Sequence, residues 1–434
     1  MSVNTLIIGG GPAGLTAACF CAGPTLVIDR LRAPARKLLA TGGGRCNLTH
    51  DTDAAGIMAA FGRQSRFMGP ALHAFPPEAL RAFFRDMGVE TGVEPDGCVF
   101  PVSQKAADVA VALERAVRAN GAAIRCGVRA TRLVLEPDRD GPSGPPRVVA
   151  VDTTEGRVYA GHVILAAGGQ SYPSLGSDGS GFALAREAGL AITPPVPALA
   201  GLITREAWPR ALAGIVQEQG GMRLDVKGAP KQFLTGSVLF THKGLSGPPA
   251  LDLSGEIAAR LLELRPPASD LCPPSSDLCP PAIPIRVSFN TARTTADWLA
   301  LFEGWRGRHG GRALHNLLSG ELPRALAAAL CGVAGVHDLA VARARKEALL
   351  ALAEACADLR LNVTGTEGWE RAMATRGGVA LRELDPKTLA CRNIRGLYCA
   401  GEVVDLDGRC GGFNLTWAFA SGRQAGLATN LQQD

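Results

Sequence analysis

The chain lacks the signatures of several common enzyme chemistries. Its 7 histidines never fall in an HxxxH or HExxH spacing, so no helix face presents two imidazoles to a catalytic metal, and none is expected. No GxSxG stands to expose a serine nucleophile at a strand-to-helix elbow. No CxxC marks a zinc ribbon or a dithiol, although there are 12 cysteines. No uninterrupted apolar run reaches the ~18 residues a bilayer crossing requires, so neither a membrane span nor a membrane partner is expected. The first apolar run has no charged segment ahead of it and is cut by Gly9-Gly10-Gly11-Pro12. The reading is that no signal peptide is present, that the fold begins at residue 1, and that the cysteines stay reduced in the cytoplasm.

What is there suits a folded enzyme. The chain has 434 residues, enough for two or three domains, with 47% hydrophobic and 20% charged residues. Its 45 basic and 40 acidic residues leave +5, a mild bias that permits RNA contact without requiring it.

Along the chain, Val3 to Ile8, Leu15 to Ala22 and Thr25 to Asp29 read as strand, helix and strand around a glycine turn. Short Val/Ile/Leu-rich runs between about 122 and 165, broken by a Gly/Pro-rich stretch at 141–146, suit an antiparallel meander. It ends in Val163-Ile164-Leu165-Ala166-Ala167-Gly168-Gly169, a strand returning to the sheet and running into a glycine turn. After Pro194, Pro195 and Pro197 the pattern shifts to short strands and turns, then, from about 296 to 358, to Ala/Leu/Arg/Glu with helical spacing. Two SDLCPP hexapeptides, Ser269 to Pro274 and Ser276 to Pro281, read as a duplicated surface loop, which leaves Cys272 and Cys279 poor ligand candidates. Residues 396–426 revert to strand, glycine turn and helix.

Three constellations carry chemistry. Gly9-x-Gly11-x-x-Gly14, with Pro12 and Ala13, joins a strand to a helix; missing side chains let a pyrophosphate approach the backbone, and the helix N-terminus favours its charge. Asp29, ending the next strand, can accept a hydrogen bond from an adenosine ribose hydroxyl. Second, Lys37 and the run Thr41-Gly42-Gly43-Gly44-Arg45-Cys46-Asn47-Leu48-Thr49 form a loop able to lie against a flat polar ligand. Third, Gly401, Glu402 and Asp405, then Gly411-Gly412-Phe413-Asn414-Leu415, bring acids and glycines to a helix start whose free N–H groups suit a phosphate or a flavin carbonyl. Val128, Ala166, Ala167 and Gly168 are expected to complete the cofactor's walls. No second strand-GxGxxG-helix follows; Gly176-Ser177-Asp178-Gly179-Ser180-Gly181 has the wrong spacing. A nicotinamide donor must therefore visit transiently rather than occupy a domain of its own.

The GGGRCNLT loop, the LFTHKGLSGPPALDLSG segment (Leu239 to Gly255), Thr375-Arg376-Gly377-Gly378-Val379 and the AGEVVDLDGRCGGFNLTWAFASG ending together resemble the BaiN/RdsA (YhiN-like) family of NAD(P)/FAD-dependent oxidoreductases over nearly the whole chain. The resemblance implies an α/β fold: a glutathione-reductase-type, Rossmann-like FAD domain interrupted by a β-barrel-like domain and a small helical subdomain. The expected boundaries are 1–195 and 369–434 for the FAD domain, 196–295 for the β-rich insertion and 296–368 for the helices. It further implies FAD, with NADH or NADPH as transient reductant, and hydride passing from flavin N5 to an unsaturated C=C acceptor, a small molecule or a nucleobase. Relatives that make dihydrouridine in ribosomal RNA or are named aminoacetone oxidases supply the alternatives. His50 stands where the family usually has Asn, and Cys410 replaces a small or β-branched residue, so the acceptor is not inherited directly.

Three side chains are candidates for proton transfer. Cys46 stands beside Arg45 and glycine-loop N–H groups that could lower its pKa. His50 could donate a proton, and His242 is placed at a strand-to-helix turn facing the cleft. Cys19, Cys21, Cys331 and Cys356 lie in small-residue helical runs and read as packing. Arg223, Lys227, Lys231, Lys243, Arg343, Arg345 and Lys346 are the cations an RNA backbone would meet.

Overall fold

A computed structural model describes residues 1–137, 144–264 and 281–431. The SDLCPP repeats, with Cys272 and Cys279, fall outside the described residues apart from Pro281. The chain forms two compact units: residues 1–196 with 373–434, and residues 197–372.

The first unit is built on a seven-stranded sheet. Its strands run Ala123–Cys126, Thr25–Asp29, Ser2–Ile8 and Gly156–Leu165 side by side. The pairings are parallel, with Ile8 opposite both Ile28 and Leu165. Such strands are covered on both faces, and the near-continuous apolar run LIIG after Thr5 follows from that: Leu6 and Ile7 are wholly buried. Gly156–Leu165 has two sets of neighbours. Its first half pairs antiparallel with Arg147–Thr153, which pairs with Ala130–Glu136 to complete the meander. Its second half pairs parallel with Leu397–Cys399, Leu165 facing Cys399. The carboxyl ends of five strands therefore reach one edge of the sheet, the usual ligand-binding edge of an open α/β sheet.

The helix Pro12–Phe20 starts on a proline at its first position, where the missing N–H costs nothing. Against it lies Phe413–Ala428. A Cβ at Gly422 would fall 2.2 Å from Ala13 O, and one at Gly426 2.4 Å from Ala17 O; bare glycines are what allow the two backbones to meet.

The second unit holds an eight-stranded antiparallel sheet in the order Val216–Gln217, Val238–Phe240, Gly244–Ser246, Leu202–Thr204, Leu359–Thr366, Ile283–Ser288, Gly221–Leu224, Leu234–Thr235. The helices Thr295–His309, Leu314–Leu318, Arg324–Val333 and Lys346–Ala357 lie in sequence between two neighbouring strands of that sheet. Trp298, Phe302 and Leu349 share one apolar cluster with Ile285, Val287 and Phe289. The structure thus gathers into one unit what the change of composition near residue 295 separates. Among the described residues no helix is long and apolar enough to cross a membrane.

Candidate cofactor-binding site

At the carboxyl edge of the first unit's sheet a cleft is lined by Gly9, Gly11, Pro12, Ala13, Asp29, Lys37, Ala166, Ala167, Gly168, Glu402, Asn414 and Leu415. Residues from both ends of the chain meet here because Gly156–Leu165 hydrogen-bonds to both. Ala166 N donates to Ile8 O at 2.8 Å and Ala400 N to Leu165 O at 3.0 Å, extending the ladder to the cleft's floor.

The glycines divide into two kinds. A Cβ at Gly9 would lie 2.3 Å from Ala166 O, and one at Gly14 1.9 Å from Gly9 O; the protein itself forbids side chains there. A Cβ at Gly11 would meet nothing within 4 Å. No neighbour requires its bareness, so the space above it is what a ligand would use. No side chain caps the helix that follows, so its first N–H groups remain available to an anion.

Asp29 accepts from Gly10 N at 2.7 Å and from Leu31 N at 2.8 Å. These bonds hold the carboxylate beside the glycine turn and leave lone pairs for a ribose hydroxyl. Burial nevertheless raises its pKa, the two backbone bonds offsetting only part of the cost. Val128 is buried behind it, its N donating to Asp29 O at 3.0 Å.

Lys37 and Glu402, both expected at the cofactor, reach the cleft as a pair. Lys37 Nζ lies 2.6 Å from Glu402 Oε2 and 2.6 Å from Ser171 Oγ. Glu402 Oε1 accepts from Ser171 Oγ and Thr375 N, each at 2.8 Å. Gly401, one residue earlier, has its N on Ser421 Oγ at 2.9 Å and its O on Trp417 Nε1 at 3.1 Å. It packs tightly against the start of helix Pro12–Phe20, since a Cβ there would lie 2.7 Å from Ala13 Cβ.

The GGGRCN loop does not line this cleft. Gly42, Gly43 and Gly44 all have positive φ, and Gly43 and Gly44 are exposed. Arg45 turns to Glu94 Oε1 at 2.7 Å and stacks over Phe100, 4.0 Å from the ring centre. That placement corrects the expectation for Cys46. With its charge engaged elsewhere Arg45 does not activate the thiol, and burial pushes Cys46 up to about 12. Asn47 Oδ1 is buried with no hydrogen-bond partner among the described residues, a polar atom awaiting a donor.

His50 sits on the short strand Thr49–His50. Its Nδ1 lies 3.2 Å from Gly411 O, and its ring stacks on Phe413 at 4.8 Å. It braces the turn that begins the last helix and does not line the cleft. Gly412, at φ +89°, caps that helix with its absent Cβ 2.7 Å from Asn47 Oδ1. Asn414 closes the turn, exchanging 2.9 Å bonds with the N and O of Gly408. Asp405 is buried below, its carboxyl raised by burial, with its N on Val379 O at 3.0 Å.

His242 is the second correction. It is exposed in the turn joining Val238–Phe240 to Gly244–Ser246, two antiparallel strands. The strand-to-helix turn is at Gly247, ahead of Pro248–Glu263. Of the seven cations, Arg223 is committed to Asp358 Oδ1 at 3.0 Å, whereas Lys227, Lys231, Lys243, Arg343, Arg345 and Lys346 are exposed.

Sequence reasoning missed Arg36, Ser177 and Trp417 in the cleft wall. Ser177 lies in the glycine-rich GSDGSG stretch, whose spacing is wrong for a fingerprint, yet it lines the same cleft as the first one.

A bare Gly11, an uncapped helix start and a positioned Asp29 fit a dinucleotide. The HI0933-like protein Rossmann domain profile matches residues 3–428. The chain is 34% identical to the 3-dehydro-bile acid delta(4,6)-reductase of Clostridium scindens, covering 97% of this chain and 98% of that one. It is 27% identical to the ribosomal RNA dihydrouridine synthase of Escherichia coli, covering 96% of each. The 3-ketosteroid delta1-dehydrogenase of Sterolibacterium denitrificans, 12% identical, shares the fold at a TM-score of 0.51, covering 99% of this chain and 100% of that one. The chain belongs to the HI0933-like family and is a flavin-dependent oxidoreductase of the BaiN/RdsA type.

Proposed function

We propose that this protein is an NAD(P)H-driven reductase of an electron-poor carbon-carbon double bond in a small, flat ring system. The observation that carries this reading is end-to-end similarity to a relative named for reducing such bonds in a bile acid, joined to a cleft whose residues fit FAD. When bound, FAD supplies two-electron chemistry between a nicotinamide and the acceptor. The chain's own part is to hold and orient. Gly11 would leave room for the pyrophosphate and Asp29 would accept from the ribose, while the Lys37–Glu402 pair fixes one wall. Cys46, pushed up to about 12 by burial, stays protonated at neutral pH and packs the glycine loop.

A second reading rests on the relative named as a ribosomal RNA dihydrouridine synthase. There the acceptor would be a uridine ring, and the exposed cations of residues 197–372 would meet phosphates.

Anaerobic stopped-flow reduction of the yellow protein by NADH and by NADPH, then mixing with a 3-oxo-4,6-diene steroid acid, a uridine-containing rRNA fragment or oxygen, separates the readings. Fast reoxidation by the steroid alone supports the reductase, and by the RNA alone the second reading. Reoxidation by oxygen alone, or failure of either nicotinamide to bleach the flavin, would discard the proposal.

A further inference from the structure

The ionic groups lining the cleft are Asp29, Arg36, Lys37 and Glu402. Lys37 and Glu402 cancel at 2.6 Å, and Asp29 adds a negative charge. A dinucleotide diphosphate brings about two more, against which the start of helix Pro12–Phe20 offers only about half a positive charge. Among the described residues Arg36 is the cation in that wall left without a hydrogen-bond or ion-pair partner, and its side chain is exposed.

Its placement is fixed from the backbone. Arg36 opens the short helix Arg36–Ala40 directly after Ala35, a buried non-glycine residue at φ +58°. Ala35 N donates to Gly10 O at 2.8 Å, which ties the start of that helix to the glycine turn. A left-handed alanine is strained, and the bond to Gly10 holds it in place. The result is a guanidinium carried on the same rigid unit as Gly9-Gly10-Gly11.

We propose that Arg36 is the diphosphate-binding residue of this cleft, and that Lys37, beside it in sequence, instead neutralises Glu402. A guanidinium presents paired donors that match phosphate oxygens, whereas Lys37 already spends two of its three donors on Ser171 and Glu402. This rests on the reading of the cleft as a flavin dinucleotide site.

The test compares ADP, which carries the diphosphate, with adenosine, which does not, on the full-length chain freed of flavin. Arg36→Ala is expected to weaken ADP ten- to hundredfold and FAD similarly, the loss of one charge-assisted contact, while adenosine changes less than twofold. Arg36→Lys is expected to recover part of the ADP affinity, and added salt to weaken ADP more in the parent than in Arg36→Ala. Equal ADP affinity in parent and Arg36→Ala would overturn the assignment, as would equal losses for ADP and adenosine. A parent chain that binds neither FAD nor ADP would overturn the flavin reading as well, a distinct outcome.

Discussion

Lys37 Nζ and Glu402 Oε2 stand 2.6 Å apart although 365 residues separate them in the chain. Each side chain is about four-fifths withdrawn from solvent, at 19% and 22% exposure, so either charge left alone would be poorly hydrated. The pair therefore acts as a clasp between the first and last segments of the cofactor unit, and its strength depends on both members.

Lys37→Met and Glu402→Gln should each destabilise the protein by about 1–3 kcal/mol, with the double variant costing clearly less than the sum. Urea unfolding of the four proteins gives the coupling directly. Strict additivity would show that the clasp contributes nothing beyond its separate side chains.

Asp29→Ala should weaken FAD ten- to hundredfold, because one charge-assisted acceptor is lost. The pH dependence has a definite sign. Burial raises the Asp29 carboxyl, so as pH falls this group protonates before an ordinary aspartate would, and the acceptor is lost early. FAD affinity should begin to drop above the usual aspartate range in the parent but stay flat there in Asp29→Ala. Identical pH profiles would remove Asp29 from the site.

Much of the cleft was legible in residues. Gly9, Gly11, Gly14 and Asp29 could be placed because strand, turn and helix fix their spacing within a single βαβ segment. The GE pair at 401–402 followed from a second strand and glycine turn. What escaped was direction. Nothing in GGGRCN says that Arg45 turns toward Glu94 and Phe100, because both partners lie about fifty residues on and reach it through tertiary packing. His242 was misplaced for a related cause. A three-residue strand, Gly244–Ser246, intervenes before the helix, too short to register in any periodicity. Ser177 was hidden because loop residues carry no period at all.

Alkylation separates exposed from buried thiols. With iodoacetamide near pH 8, exposed Cys410 should be modified, whereas Cys46, fully buried and raised to about 12, should stay unmodified until the protein unfolds. Peptide mass spectrometry over time reads both sites. Early loss of Cys46 would restore it as a reactive group.

Gly422→Ala tests the contact between the two helices. Helix propensity alone favours alanine by about 1 kcal/mol. Here the new methyl would stand 2.2 Å from Ala13 O, so overpacking of about 1–3 kcal/mol should prevail. The expected result is a lower thermal midpoint with FAD lost more readily. A stabilised, fully flavinated variant would show that the helices part more easily than their fit implies.

The pairing of Gly156–Leu165 with both Ser2–Ile8 and Leu397–Cys399 also fixes an order of events during synthesis. The nascent chain makes its glycine turn and Asp29 first. It must then wait for Glu402, and for the helix bearing Gly422 and Gly426, before the cleft has a second wall. At ~5–20 residues per second that interval is roughly 20–80 s. The helix Pro12–Phe20 is meanwhile without the partner that later covers Ala13 and Ala17, exposing small-residue surface to chaperones and proteases. A complete cleft must therefore await synthesis of that last helix.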